Sequence, residues 1–179
     1  VDFSPVDVRL LNYGRFVGKF GLFWEGQYTA FPVGSMNSTT YLTPNSAAWN
    51  NAFSNYLQAW LNHAHQLGFG TDRFTITPYD EPHSASFATA PDAKMTNYIS
   101  VCHLIRAVDP NLPIYLTLSD YAGIADLNAM LPEVNIVAPV WPYRNFTLSG
   151  QTPGYNPRTA YYSTLLPALK TWRSAAGGR

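Results

Sequence analysis

Two adjacent carboxylates stand near the middle of this sequence, in the segment Tyr79-Asp80-Glu81-Pro82-His83. Neighbouring carboxylates push their pKa values apart, so one of them can hold a proton near neutral pH while the other stays ionised. Such a pair suits general acid–base chemistry, and Pro82 restricts Glu81 to extended backbone. Alternatively, these residues form a surface turn in which Asp80 caps the next segment, because Asp and Pro are common in turns.

Other candidate side chains follow other predicted strands. One predicted strand ends at Trp24 and Glu25, and another ends at Trp141 and Tyr143. Aromatic rings at such positions can stack on the apolar faces of sugars, or they can close the mouth of a barrel. Glutamate is scarce in the chain, and Glu25 is either an alternative acid or a ligand for a sugar hydroxyl.

The histidines give no metal-binding pattern. His83 lines the pocket or caps its loop, and the sequence leaves both interpretations open. His63 and His65 are two residues apart on a predicted helix, so their side chains do not face together. The single cysteine, Cys102, excludes a cysteine-based zinc site and fits a small buried residue. We therefore expect no metal, and without a glycine-rich phosphate loop we expect no cofactor.

Predicted strands and helices alternate along the chain. After a weak helical pattern over 2–15, apolar runs predict four strands, and a pattern with helical spacing follows each one. The clearest helix carries apolar residues from Trp49 to Leu67, with Thr43-Pro44 as its expected start and Gly68 as its stop. The strands are expected at residues 16–24, 74–79, 112–118 and 134–140.

This alternation predicts a parallel α/β fold. Because acidic or aromatic residues follow the strands and no nucleotide-binding loop is present, a (β/α)8 TIM-barrel type is favoured over a doubly wound sheet. A complete barrel takes about 250 residues, so residues 1–179 are expected to form about four βα units, half of one barrel catalytic domain. The remaining strands would come from the same polypeptide or from another chain, because parallel strands leave edges that need partners.

The composition excludes several classes of partner. Aromatic residues make up 15% of the chain and charged residues 12%, with 11 basic and 11 acidic side chains. A formal net charge of zero gives no electrostatic basis for binding nucleic acid or an anionic membrane. No run is long and apolar enough to predict a membrane span. The aromatic side chains suit a buried core or a surface that stacks on ring-shaped ligands.

The beginning of the sequence and two short triplets bear on localisation. The first residue is Val1 rather than Met and no signal peptide follows, so we expect a processed chain or a piece of a longer one. The triplets starting at Asn37 and Asn145 match the N-glycosylation pattern. The processed beginning and the two triplets are compatible with an extracellular or periplasmic protein.

The Tyr-Asp-Glu-Pro-His segment at 79–83, with Ile-Arg-Ala-Val-Asp-Pro-Asn-Leu-Pro-Ile at 105–114, resembles the catalytic domain of glycoside hydrolase family 123 and its uncharacterised relatives. The resemblance spans about residues 45–175. It implies a (β/α)8 barrel with β-N-acetylgalactosaminidase activity, in which the acetamido oxygen of the substrate attacks the anomeric carbon. By the same resemblance, Asp80 would orient the acetamide and Glu81 would be the general acid/base.

Three functions follow from these expectations. The first is an exo-acting glycosidase on N-acetylated amino sugars, with Trp24, Glu25, Tyr79, His83, Trp141 and Tyr143 as substrate-binding residues. The second is a conventional glycosidase whose nucleophile lies outside this chain. The third is a non-catalytic carbohydrate-binding or scaffold barrel, favoured if Glu81 pairs with Arg73 or Arg106. In the first two, the loops at 26–43 and 144–156 would flank the site.

Overall fold

The computed structural model describes residues 3–14, 18–23, 31–33, 40–79, 93–118, 128–139 and 166–175. Besides a helical turn at 128–130 between β3 and β4, this part of the chain contains four α-helices of ten or more residues and four short strands. In chain order they are α1 (Ser4–Tyr13), β1 (Phe20–Phe23), α2 (Ala47–Gln66), β2 (Phe74–Thr77), α3 (Ala93–Val108), β3 (Tyr115–Leu118), β4 (Ile136–Pro139) and α4 (Leu166–Ala175). The chain divides into a first compact unit, residues 1–79 and 100–114, and a second, residues 80–99 and 115–179.

In the first unit, β1 and β2 pair in parallel. Their register runs from Phe20 opposite Phe74 to Phe23 opposite Thr77. The side chains of β2 are all buried, as expected for a parallel strand covered on both faces. The parallel pairing predicted for these two strands is therefore confirmed.

A second backbone contact extends β2 on its other side. Ile76 forms an isolated parallel bridge with Ile114, and the Ile76 N–H donates to the Pro113 carbonyl oxygen at 2.9 Å. Two different segments thus flank β2 in the first unit, which places this strand in its interior.

Helix α2 supplies most of the core of the first unit. Its buried side chains recur with the spacing of one helix face, as predicted: Trp49, Phe53, Leu57, Trp60, Leu61 and Ala64. The Trp60 ring packs edge-on against Phe74 of β2, with ring centroids 4.6 Å apart. At its far end the helix stops at Gly68, whose φ of +86° is a left-handed conformation that glycine adopts without strain.

The start of α2 differs from the prediction. Thr43-Pro44 does not cap the helix: Asn45 turns the backbone at φ +62°, and Ser46 is the N-cap. The Ser46 hydroxyl oxygen accepts a hydrogen bond from the Trp49 N–H at 3.2 Å. The prediction was wrong because Asn tolerates the left-handed conformation, which delays the helix by one turn.

Helix α1 packs onto the same unit through aromatic and polar contacts. The Phe3 ring stacks on the His63 ring at 5.0 Å, and Asp7 pairs with the His63 Nε2 at 2.6 Å. The helix ends at Tyr13 and is followed by Gly14, where the Phe69 ring leaves no room for a Cβ atom. The Arg73 guanidinium donates to the carbonyl oxygens of Gly14 and Gly18, at 2.7 and 2.9 Å.

In the second unit, β3 and β4 also pair in parallel, from Tyr115 opposite Ile136 to Leu118 opposite Pro139. A short 3-10 helix, Leu131–Glu133, precedes β4. This turn directly follows the helical residues 128–130, and Pro132 fits its first turn because a first-turn residue needs no N–H donor. Helix α4 contributes no fully buried side chain.

The strands in the described ranges form two parallel pairs, without a closed barrel among them. The (β/α)8 architecture therefore stays a prediction. None of the helices in these ranges combines the length and the apolar character that a transmembrane segment requires.

Candidate functional site

The parallel register of β1 and β2 brings the carboxyl ends of the two strands to the same edge of the first unit. Because the strands run in the same direction and end opposite one another at Phe23 and Thr77, their carboxyl ends lie together. In the sequence, Trp24-Glu25 follows β1 directly, and Pro78-Tyr79 then Asp80-Glu81 follows β2. On parallel α/β folds, catalytic groups come from the segments that follow strands at this edge.

Most of the predicted site residues fall outside the described part of the chain. They are Trp24, Glu25, Asp80, Glu81, His83, Trp141 and Tyr143. The predicted loop at 144–156 falls outside it as well. Regular pairing of β2 ends at Thr77, and residues 78–79 form a bend, so Asp80 follows a change of backbone direction.

Tyr79 is the predicted site residue that the structure places. Its side chain is only 1% exposed, at the end of β2. Burial raises the pKa of the Tyr79 phenol above its ordinary value of 10.0, and the nearby Asn45 side chain has a smaller, opposing effect. The phenol therefore stays protonated at neutral pH and keeps an O–H donor at this edge.

Two asparagines at the start of α2 add polar atoms to the same unit. Asn45 contacts Tyr79, and Asn50 lies in the first turns of the helix. Their Oδ1 atoms are buried, and no hydrogen-bond partner for either is found in the described ranges. Buried acceptors of this kind are costly unless a donor reaches them. The neutral amides and the phenol can orient a ligand by hydrogen bonds, but none of them is an acid or base at pH 7.

A second cluster in the first unit contains residue types used for nucleophilic catalysis. The Thr71 hydroxyl donates to the Asp109 Oδ2 at 2.8 Å and lies 3.1 Å from the His65 Nε2. A hydroxyl carries one proton, so the histidine must donate to Thr71 rather than accept from it. A nucleophile requires the opposite direction, with histidine as the base. The cluster instead links the turn after α2 to the end of α3.

The two arginines considered as partners for Glu81 bind backbone carbonyl groups. Arg73 holds the end of α1 as described above, and Arg106 donates to the carbonyl oxygens of Pro110 and Leu112, both at 3.0 Å. Each guanidinium thus fastens a turn in the first unit. Glu81 lies outside the described ranges, so its pairing with Arg73 or Arg106 stays a prediction.

No group of three or more His, Cys, Asp or Glu side chains is arranged to hold a metal ion in the ranges given above. Cys102 is a buried cysteine in α3, as the small-apolar interpretation predicts. His63 and His65 contact different partners, Asp7 and Thr71, and so do not act together.

Sequence reasoning missed Asn45, Asn50 and the neighbouring Tyr41. The signal that could have identified this region is the absence of charge: residues 26–71 contain no Asp, Glu, Lys or Arg. The predicted loop at 26–43 also contains an antiparallel bridge between Pro32 and Tyr41. An uncharged segment rich in amide and aromatic side chains suits contact with a neutral polar ligand.

Comparison with known proteins adds no relative to this account. No protein-family model, curated protein or solved structure matches the chain. The resemblance to glycoside hydrolase family 123 therefore rests on the short segments at 79–83 and 105–114.

Proposed function

We propose that this chain belongs to a glycoside hydrolase of the (β/α)-barrel type that removes β-linked N-acetylated amino sugars, with N-acetylgalactosamine as the preferred class. The observation that supports the proposal most is the register of β1 and β2. Two acid-bearing segments, Trp24-Glu25 and Asp80-Glu81, follow strands whose carboxyl ends lie together. Glycoside hydrolysis needs carboxyl groups converging on one bond.

In the proposed mechanism, Glu81 is the general acid. It protonates the glycosidic oxygen as the bond to the anomeric carbon breaks, while the acetamido oxygen of the sugar attacks that carbon from the opposite face. The products of this step are the released alcohol and a cyclic oxazolinium ion. Glu81 then removes a proton from a water molecule that opens the ring, so the anomeric configuration is retained.

Asp80 has a different role in the same step. Its ionised carboxylate accepts a hydrogen bond from the acetamide N–H, which aligns the carbonyl oxygen and stabilises the positive charge that develops on nitrogen. Successive side chains of a regular strand point to opposite faces, so two neighbouring carboxylates reach one pocket only beyond regular pairing. The bend at residues 78–79 is consistent with this requirement.

Tyr79 and the aromatic residues complete the proposal. The protonated phenol of Tyr79 and the nearby Asn45 amide supply neutral polar groups just before the acids in the sequence. Trp24, Trp141 and Tyr143 are proposed as stacking surfaces for pyranose rings, with Glu25 and His83 as hydroxyl ligands. The neutral overall charge of the chain suits an uncharged substrate.

The experiment that tests the proposal measures kcat/KM for nitrophenyl N-acetyl-β-galactosaminide. The N-acetyl group is then replaced by mono-, di- and trifluoroacetyl groups, which progressively weaken the carbonyl oxygen as a nucleophile. Because that oxygen makes the new bond in the first step, kcat/KM should fall steeply along the series. A rate independent of fluorination would exclude substrate assistance and favour a separate enzymatic nucleophile. No hydrolysis of any member by the complete barrel would exclude this activity.

A pair of Asp→Asn variants tests the role of Asp80. Asp80→Asn should lower kcat/KM on the N-acetyl substrate by about 10²- to 10⁴-fold, the range typical of a lost catalytic group. Asp72→Asn, in the exposed turn before β2, is the control and should retain the wild-type rate. Equal rates in both variants would remove Asp80 from the mechanism.

A further inference from the structure

The segment between β1 and α2 contains a short antiparallel contact. The Val33 N–H donates to the Thr40 carbonyl oxygen, and the Leu42 N–H donates to the Phe31 carbonyl oxygen, both at 2.8 Å. Pro32 therefore lies opposite Tyr41 in a pair that exchanges no hydrogen bond of its own. Pairs of this type bring their side chains close together on one face, with Cα atoms about 4.5 Å apart. Proline fits here because its missing N–H would not bond to the partner.

The two faces of this contact have different environments. Phe31 packs edge-on against Trp49 and Tyr56 of α2, with ring centroids 5.8 and 6.3 Å apart. Because side chains alternate between faces along a strand, Pro32 and Tyr41 lie on the face opposite to Phe31. Tyr41 is accordingly 55% exposed. The aromatic ring is held beside a proline, yet most of its surface faces solvent.

A short stretch of chain links this contact to a residue near the end of β2. Tyr41 precedes Asn45 by four residues, which an extended chain spans in at most about 14 Å. The Asn45 side chain lies close enough to the Tyr79 phenol to influence its pKa, and Tyr79 is the second residue after β2 and precedes Asp80 in the sequence. An exposed aromatic ring therefore lies within reach of the edge where the proposed catalytic segment begins.

The chemistry around the ring selects among possible ligands. No Asp, Glu, Lys or Arg occurs between Glu25 and Asp72, so the segment around Tyr41 has no permanent charge with which to recognise a phosphate, an acidic peptide or a cation. The residue paired with Tyr41 on this face is the uncharged Pro32. The Tyr41 ring offers a flat apolar surface and one hydroxyl group, which matches a pyranose, because that sugar presents C–H groups on its face and hydroxyl groups at its rim.

We propose that Tyr41, held by Pro32, forms a stacking platform for a second sugar ring of a neutral glycan, beyond the sugar that is cleaved. The inference rests on the proposed function, which supplies the ligand class. It goes further by assigning a binding residue in a segment predicted only as a loop. It also implies that the preferred substrate is an oligosaccharide rather than a single N-acetylated sugar with a small leaving group.

The platform is tested by the affinity of the chain for a neutral, β-linked trisaccharide that ends in N-acetylgalactosamine, measured by calorimetry in a Glu81→Gln background that suppresses turnover. Tyr41→Ala should raise Kd by about 3- to 10-fold, the range expected for loss of one aromatic stacking contact. Tyr41→Phe keeps the ring and should retain the affinity. Leu11→Ala removes another exposed apolar side chain, far from this segment in sequence, and serves as the control.

The outcomes separate the platform from the catalytic proposal. If Tyr41→Ala weakens binding while no N-acetylhexosaminide is hydrolysed, the platform stands and the glycosidase does not. If hydrolysis is found but Tyr41→Ala binds the trisaccharide as tightly as its parent, the platform is overturned and the glycosidase stands. Failure of the parent to bind the trisaccharide overturns the platform as well. Circular dichroism of each variant establishes that a weakened affinity does not reflect unfolding.

Discussion

The two compact units contain strand pairs of the same kind but very different helices. Each pair consists of two four-residue parallel strands in continuous register. In the first unit, the 20-residue helix α2 buries six apolar side chains, whereas the 10-residue helix α4 of the second unit buries none fully. The strand pairs are therefore matched, and the helices are where stability should differ. Substitutions of the same chemistry in α2 and α4 test this difference.

The largest contrast is expected between two tryptophans. Trp49 is fully buried and stacks on Phe53 with ring centroids 5.1 Å apart, while Trp172 of α4 is half-buried. Trp49→Ala should lower the free energy of unfolding by about 3 to 5 kcal/mol. Trp172→Ala should lower it by about 1 kcal/mol or less. Denaturation in urea measures the free energy of unfolding of both variants. Equal losses would contradict the claim that α2 contributes more to stability than α4.

The second contrast compares two arginines. Arg73 donates to two backbone carbonyl groups and lies 5.9 Å from the centre of the Phe69 ring, whereas Arg173 is exposed on α4. Arg73→Met should cost about 1 to 3 kcal/mol because it leaves two turn carbonyls without their charged donor. Arg173→Met should change stability by about 0.5 kcal/mol at most. If the two variants unfold at the same urea concentration, Arg73 does not fasten α1.

A smaller effect is expected at the start of α2. Ser46→Ala removes the oxygen that accepts from the Trp49 N–H and should cost about 1 kcal/mol. Ser174→Ala, at an exposed position of α4, is the matched control and should be neutral within about 0.5 kcal/mol. Thermal unfolding of the two variants provides the comparison. If Ser46→Ala leaves thermal stability unchanged and Thr43→Ala lowers it, α2 begins at Thr43, as first predicted from the sequence.

The smallest effect concerns alkaline pH. Burial raises the pKa of Tyr79 and of Tyr56 above 10.0, so the folded state retains protons that the unfolded state loses above that pH. The free energy of unfolding should therefore be unaffected by these groups below pH 10.0 and should fall as the pH rises beyond it. Tyr79→Phe should make this decline shallower, by at most the contribution of one proton. An unchanged slope in urea titrations between pH 9 and 11 would contradict the assigned burial.

The sequence predicted α2 and the parallel strands well because their signals are local. The buried residues from Trp49 to Ala64 recur at helical spacing, and the four residues of β2 lie in an apolar and β-branched run. The start of α2 was misplaced because its capping depends on the backbone of Asn45, whose left-handed conformation no apolar pattern reveals. Local periodicity specifies which face is buried, but not where a turn redirects the chain.

The candidate site was less accessible to sequence reasoning. Asp80 and Glu81 are adjacent, so their pairing is visible in the sequence itself. The approach of Asn45 to Tyr79 and the pairing of Pro32 with Tyr41 depend on contacts between residues distant in the chain. In the segment at 26–43, no periodic pattern indicates that the chain folds back on itself. Only the absence of charge through residue 71 distinguished this region beforehand.

The most direct test of the central claim compares Glu81→Gln with the wild-type chain on two substrates that share an N-acetylated sugar. One has a nitrophenyl leaving group, which departs without a proton, and the other is a natural glycan with a sugar alcohol leaving group. A general acid matters most for the poor leaving group, so Glu81→Gln should lose about 10²- to 10⁴-fold in kcat/KM on the glycan and much less on the nitrophenyl substrate. Glu133→Gln, at the turn before β4, is the matched control. A wild-type rate for Glu81→Gln on the natural glycan would contradict the assignment of Glu81 as the general acid.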